Sequence, residues 1–211
     1  MITRGKFITF EGPEGGGKTT QARRLAAALE QAGRRVLYTR EPGGTLTGEA
    51  IREILQHDKA GEAISPEVEV LLFAASRAQL VRQVILPALE RGVWVVCDRF
   101  ADSTTAYQGY GRGLALEQLL AINQWAVNGA VPDLTILLDL PVGAGMARLA
   151  QRADGVRDRI EREAPEFHER VRQGYLELAR RWPARFCVVS AASAADAVAA
   201  EIWQAVTHAF P

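Results

Sequence analysis

Short, almost continuously apolar runs alternate along this chain with longer stretches whose apolar residues recur at helical spacing. The runs cover residues 7–10, 36–39, 94–97, 134–140 and 186–190, bounded by Gly, Asp or Pro. Runs of this length predict strands buried on both faces. Helices are predicted over 18–32, 46–56, 66–91, 114–128, 142–152, 166–181 and 194–210, with a break or kink near Pro87. Leu25, Leu29 and Ala32 mark one apolar helix face, and Phe167, Val171, Tyr175 and Leu178 mark another. The alternation predicts an α/β fold, a five-stranded parallel sheet flanked by helices on both faces. No repeat, low-complexity tract or linker interrupts it, so residues 1–211 read as a single domain. Ligands of such sheets bind beyond the carboxyl ends of the strands, which is where chemistry must be sought.

The first strand runs into GPEGGGKTT. Gly12, Gly17, Lys18 and Thr19 satisfy G-x-x-x-x-G-K-[ST] between a strand and a helix. In such a P-loop, glycines let backbone amides curl around phosphate oxygens, and the helix N-terminus adds partial positive charge. The lysine sets a point charge on the transferring phosphate, and the Thr19 hydroxyl is a magnesium ligand. Gly12, Pro13, Glu14, Gly15, Gly16, Gly17, Lys18, Thr19 and Thr20 are therefore the expected ATP-binding segment. A glycine turn that merely caps a helix is the bland reading. It is disfavoured by the complete motif and by the charge usage, since only three of 25 basic residues are lysine. There is no guanine-reading N-K-x-D segment and no LSGGQ-like signature, which argues against a GTPase switch and an ABC-type ATPase.

The other strand ends add candidates. TREPGGT after the second strand places Arg40 at a tight turn, either aimed at the cleft or solvated, and Pro42 is expected to be cis. Asp98 after the third strand stands where a carboxylate holds magnesium, with Arg99 beside it, although a salt-bridged strand end would look the same. Phe73 and Arg77 are four residues apart on a helix and share a face. They fit a ring that stacks on a base and a guanidinium that donates to it, or a core residue with a solvated neighbour. Ser103 to Gly109, including Thr104, Tyr107 and Gln108, reads as a polar loop that could line a pocket. Residues 148–162 read RLAQRADGVRDRIER, either a solvated turn or a short arginine-rich lid.

Composition narrows the picture only slightly. The formal net charge is zero, so no overall field favours nucleic acid or an anionic membrane. Cys97 and Cys187 sit in apolar runs and read as buried small hydrophobes. His57, His168 and His208 form no metal-ligand spacing. MITRGKFITF lacks the long apolar segment of a signal peptide, and no apolar run approaches membrane-spanning length. The expectation is a cytoplasmic protein.

Taken together, FEGPEGGGKTTQ, TREPGGT, LLFAASRAQ, DRFADSTTAYQG and DRIE, in that order and spacing, resemble the bacterial thymidylate kinases over nearly the whole chain. The resemblance implies a P-loop nucleoside monophosphate kinase that converts dTMP to dTDP with ATP and magnesium, and acts as a homodimer. It implies that Phe73 stacks on thymine, that Arg77 donates to its carbonyl oxygen and that Thr104 reads the base edge. Gln108 belongs to the same substrate-binding set. Tyr107 gates against a ribose 2′-hydroxyl, and Arg40 and Arg99 clamp the dTMP phosphate. Glu14 stands near the sugar 3′-hydroxyl. Thr19 and Asp98 are the implied magnesium residues, and Lys18, Arg99 and Glu14 are catalytic. Because the P-loop holds no arginine, Arg152 and Arg159 of the lid complete the catalytic set, with Arg157 the alternative. A related kinase for another monophosphate, or a P-loop protein that binds without turnover, are the competing readings.

Overall fold

The computed structural model describes residues 3–56, 61–151 and 158–211. Five strands form one parallel sheet: β1 (Phe7–Glu11), β2 (Val36–Arg40), β3 (Trp94–Asp98), β4 (Leu134–Asp139) and β5 (Phe186–Ser190). Their order across the sheet is β2-β3-β1-β4-β5, so β1 lies at the centre between β3 and β4. The expected α/β architecture is present, with each strand starting where its apolar run begins.

Alternation along each strand assigns the two faces. Ile8 and Phe10 of β1, Val96 of β3 and Ile136 and Leu138 of β4 point one way. They pack against Leu25 and Leu29 of α1 (Lys18–Gln31) and against Val198, Ile202 and Val206 of α9 (Ala195–Ala209). Phe7, Val95 and Cys97 point the other way, onto Leu80, Val81, Ile85 and Leu89. Leu137 also faces that side and meets Phe167, Val171 and Tyr175 of α8 (Pro165–Arg181).

The segment predicted as one kinked helix is α3 (Pro66–Leu80), a π-helical turn at Val81–Ile85, and α4 (Leu86–Glu90). Pro87 has no N–H to give and its ring crowds the carbonyl four residues back, so the widened turn just before it absorbs the mismatch. The whole helix runs 25 residues, and its most apolar window has a mean hydropathy of 1.2, enough by length and composition to cross a membrane. That corrects the expectation that no segment reaches such a length. Leu80, Val81, Ile85, Ala88 and Leu89 of it nevertheless lie in the core against β1 and β3.

A second correction concerns Ser103–Gly109, expected as a loop. It is helical: α5 (Ala101–Thr104) runs into a π-helical turn at Thr105–Gly111. The glycines there serve packing, because a Cβ on Gly111 would come within 2.6 Å of the Phe167 ring. The remaining helices are α2 (Leu46–Gln56), α6 (Leu116–Val127) and α7 (Val142–Ala150). The last two are shorter than predicted, and α6 closes at Asn128 in a left-handed conformation.

Candidate active site

One cleft of about 770 Å3 opens over the carboxyl ends of β1, β2 and β3. Glu14, Gly15, Gly17, Lys18, Thr19 and Thr20 line one part of it, and Phe73, Thr104, Tyr107 and Gln108 line another. Arg40, Asp98 and Arg99 stand between the two parts. The sequence-predicted groups thus converge, although they come from five elements.

The phosphate loop is shaped by backbone contacts. Gly12 has φ 136°, and a Cβ on it would meet the Leu138 carbonyl at 2.4 Å, so the loop can lie against β4 only with glycine there. Gly12, Pro13 and Gly16 are buried and frame the loop rather than line the cleft. Lys18 is buried, donates to the Pro13 carbonyl at 2.7 Å and lies 4.0 Å from Glu14. Burial, and then the nearby Arg99 charge, push its ammonium down to about 8.

Arg99 is the hub. It adopts φ 68°, a left-handed conformation costly for a residue with a side chain, and its N–H donates to the Phe10 carbonyl at 2.9 Å. Its guanidinium donates to Glu14 at 2.6 Å, to the Tyr107 hydroxyl at 3.0 Å and to the Gly12 carbonyl at 3.2 Å. Tyr107 in turn donates to Glu14 at 2.6 Å. Burial resists ionisation of Glu14, but Arg99, Lys18 and this hydroxyl outweigh it and hold the carboxyl at about 2.

Arg77 is not a solvated neighbour of Phe73. It is 1% exposed and bonds four elements: Glu41 at 2.7 Å, Asn123 at 2.7 Å, Thr104 at 3.0 Å and the Phe100 carbonyl at 3.3 Å. It lies directly behind Thr104. Half-buried Phe73 forms the neighbouring wall. The Glu41–Pro42 bond is cis, as expected, and Arg40 lines the cleft while donating to Glu49 at 2.7 Å.

For magnesium the donor set is appropriate. The Thr19 hydroxyl donates to the Asp98 carboxylate, which brings two oxygen donors together at the loop. Among the described residues no group of three or more His, Cys, Asp or Glu could cage a metal. That suits magnesium, which keeps several waters and is held through one or two protein oxygens plus substrate phosphates.

The lid residues divide. Arg152 and Arg157 lie outside the described residues. Arg159 does not line the cleft; its guanidinium pairs with Glu69 and donates to the Leu55 carbonyl at 3.0 Å. Asp158, Ile160 and Glu161 of the same segment do line it.

Several residues escaped the sequence reading. Arg52 lines the cleft next to Arg40, three positions after Glu49 on α2, and no motif marks it. Arg148, which the sequence places only within the arginine-rich segment 148–162, reaches the Gly15 carbonyl at 3.2 Å from α7. Glu11 is fully buried beneath Arg99, accepting from the Phe100 N–H at 2.8 Å, Ser103 at 2.6 Å and Tyr175 at 3.0 Å. Only its place in the FEG that opens the loop hinted at it.

A complete P-loop at the centre of a parallel sheet, facing a second pocket across the half-buried Arg99, defines a P-loop nucleoside monophosphate kinase. The thymidylate kinase family model matches residues 10–202. The thymidylate kinase of Deinococcus radiodurans is 53% identical over 207 residues, covering 98% of both chains. That of Pelotomaculum thermopropionicum is 53% identical over 202 residues, covering 96% of this chain and 93% of the other. The crystal structure of thymidylate kinase from Ehrlichia chaffeensis superposes with a TM-score of 0.77 at 34% identity, over 96% of this chain and 99% of that one. The chain belongs to the thymidylate kinase family.

Proposed function

We propose that this chain transfers a phosphoryl group from ATP to dTMP, giving ADP and dTDP, with magnesium. The observation that carries the reading is the shared cleft, in which the phosphate loop and the Phe73–Thr104–Gln108 pocket meet around Arg99. ATP phosphates lie along residues 12–20, with Lys18 neutralising charge on the transferring group. Thr19 and Asp98 would hold magnesium, which would supply charge neutralisation at the phosphates. Arg99 and Arg40 hold the dTMP phosphate, and Glu14 takes the sugar 3′-hydroxyl. Tyr107 closes the space beside C2′. Phe73 stacks on thymine, and Thr104, backed by Arg77, meets its carbonyl edge. Transfer passes through a loose transition state, so catalysis is positioning plus cationic stabilisation. Arg152 or Arg159 supplies the further cation from the lid at 148–162, within a single kinase domain over 1–211.

A coupled ADP-release assay with dTMP, dUMP, dCMP, dGMP and AMP tests this. Preference for dTMP is the expected result. Turnover with a purine monophosphate and none with dTMP would move the chain to a related kinase, and no turnover at all would leave only a binder.

The functional unit in this reading is a homodimer. Leu71 on α3 and Trp125 on α6 are 57% and 75% exposed on two helices that pack together, an apolar surface suited to a second copy. Light scattering of the wild type and of Leu71→Glu checks it. The two free cysteines and balanced charge accord with a cytoplasmic enzyme that needs neither membrane nor nucleic acid.

A further inference from the structure

Glu69 takes no part in the chemistry described above, yet it is 1% exposed and receives three side chains. Gln108 donates to it through Nε2 at 2.7 Å, Arg112 through Nε and Nη2 at 3.3 Å each, and Arg159 through Nη2. Burial raises its carboxyl, but Arg112, Gln108 and Arg159 outweigh burial and lower it below the ordinary value. Glu69 is therefore ionised at neutral pH, and an ionised carboxylate only accepts hydrogen bonds.

This constrains Gln108. A glutamine amide carries an acceptor on one branch and two donors on the other, and a half-turn exchanges them without changing its shape. Left alone, such a side chain reads either kind of partner. Against Glu69 only the NH2 branch is tolerated, so the carbonyl branch is the one turned away from it. Gln108 lines the cleft beside Phe73 and Thr104, where the base lies in the functional reading given above.

We propose that Glu69 is a specificity-positioning residue: it locks the Gln108 amide so that its carbonyl oxygen faces the base, selecting a pyrimidine with an N–H at ring position 3. Thymine and uracil carry that N–H. Cytosine has a lone pair at the same position, which would meet the Gln108 carbonyl oxygen head-on. Arg112 holds the carboxylate in place from behind, itself anchored on Glu163 at 2.5 Å and stacked 4.7 Å from the Phe167 ring centre. The inference rests on Gln108 touching the base.

The test is steady-state kinetics with dTMP and dCMP on Glu69→Gln, Gln108→Ala and the double variant. A glutamine at 69 can donate or accept, so Gln108 is free to turn. Glu69→Gln should raise KM for dTMP about tenfold and cut the dTMP-over-dCMP preference about tenfold, the scale of one hydrogen bond, with KM for ATP within about twofold and kcat lowered no more than in Arg159→Ala, whose anchor on Glu69 the same change loosens. In the Gln108→Ala background the same change at 69 should alter the dTMP-over-dCMP preference by less than about twofold, because its effect on base choice passes through the amide. Multiplicative effects of the two substitutions would overturn the proposal while leaving Gln108 as a base contact. An unchanged KM for dTMP in Gln108→Ala would overturn both.

Gln108→Glu reaches the same question with Glu69 intact should Glu69→Gln not fold. The two carboxyls, faced by Arg112 and Arg159 and with Glu163 behind Arg112, then share one proton. KM for dTMP in this variant should rise with pH as that proton is lost, whereas a pH-independent KM equal to that of the wild type would overturn the pairing.

Discussion

Arg99 and Glu14 meet at 2.6 Å across the mouth of the phosphate loop, and the Tyr107 hydroxyl bonds both of them. The residues assigned in the proposed function to the monophosphate, the sugar and the wall beside it thus form one hydrogen-bonded unit. The ring and the hydroxyl of Tyr107 have separable roles. Tyr107→Phe keeps the wall and should preserve selection of dTMP over ribothymidine monophosphate, while weakening the hold on Glu14. Tyr107→Ala opens the wall and should reduce that selection about tenfold, the lower end for a steric pocket change. Competition kinetics with the two monophosphates decides it, and unchanged selectivity in the alanine variant removes Tyr107 from the specificity set.

Lys18 gives a pH prediction. Its ammonium sits at about 8 because burial and Arg99 disfavour the charge. Below that pH the lysine is charged and ready for ATP; above it the free enzyme loses the cation. Since kcat/KM reports the free enzyme, kcat/KM for ATP should fall above about pH 8, while kcat holds to higher pH because bound phosphates restore the charge. Lys18→Ala should cost ~10²-fold or more in kcat without unfolding the protein. A variant retaining more than about a tenth of the activity would sink the assigned role.

Glu11 offers a stability test of opposite sign to Glu14. Burial, and then the charge of Asp102, push its carboxyl up from 4.5 to about 7. Folding therefore takes up a proton between these values, so the Glu11 contribution becomes more favourable as pH falls from about 7 to 4.5. Glu14, held at about 2, contributes stability above 4.5 that is lost as pH falls from 4.5 towards 2. Urea denaturation of the wild type and Glu11→Gln between pH 5 and 8.5 separates the two. The wild type should gain on the variant as pH falls through that range. A constant difference would mean that Glu11 does not titrate there.

What the sequence revealed and what it hid follow from range. The phosphate loop is contiguous, so GPEGGGKT and its flanking strand and helix are legible at once. Phe73 and Arg77 are legible as a shared helix face. The partners of Arg77 are not, because Glu41, Asn123 and the Phe100 carbonyl arrive from elements up to 46 positions away. Within the helix at 101–111, residues 103–109 read as a loop because the glycines look like turn residues until Phe167 and Leu116 are packed against the segment. Glu11 reads as the end of a strand, and only the hydrogen bonds that Ser103 and Tyr175 give it show a network.

Arg77 also ties the base pocket to stability. Its partner Glu41 is buried, with burial raising its carboxyl and Arg77 opposing that at Oε2, while Glu41 Oε1 has no hydrogen-bond partner among the described residues. Removing the arginine leaves a buried carboxylate without its cation, which typically costs ~3–5 kcal/mol. Arg77→Ala should therefore lower Tm by on the order of 10 °C, besides weakening dTMP binding. Calorimetry checks it, and a Tm within about 2 °C of the wild type would show that the pair carries little net stability.

In the proposed reading the segment 148–162 separates its arginines by task. In that reading Lys18 and magnesium would supply two cations to the transferring group, and the loop offers no third, since Glu14 has the wrong sign and Gly15 and Gly16 have no side chain. Arg99 is occupied with Glu14 and the monophosphate end. Arg159 is held by Glu69 and the Leu55 carbonyl, so it anchors the base of the lid to α3 and α2. An anchor and a transition-state cation leave different kinetic signatures. A cation acting only on the transition state lowers kcat and kcat/KM alike, with substrate affinity little changed. An anchor alters lid closure, and so shifts KM and kcat together. Arg152→Ala is therefore expected to lower kcat by ~10²-fold or more with ATP binding nearly unchanged, below the larger effects of an arginine finger. Arg159→Ala should raise KM for dTMP and lower kcat by less than about tenfold. Single-turnover kinetics with ATP affinity measured separately distinguishes them. If Arg159→Ala shows the large kcat loss and Arg152→Ala does not, Arg159 must leave Glu69 when the lid closes, and the assignment reverses. If neither of them nor Arg157→Ala lowers kcat by about tenfold, the segment is a solvated turn and the third cation lies elsewhere, with Arg148 beside the Gly15 carbonyl the next to substitute.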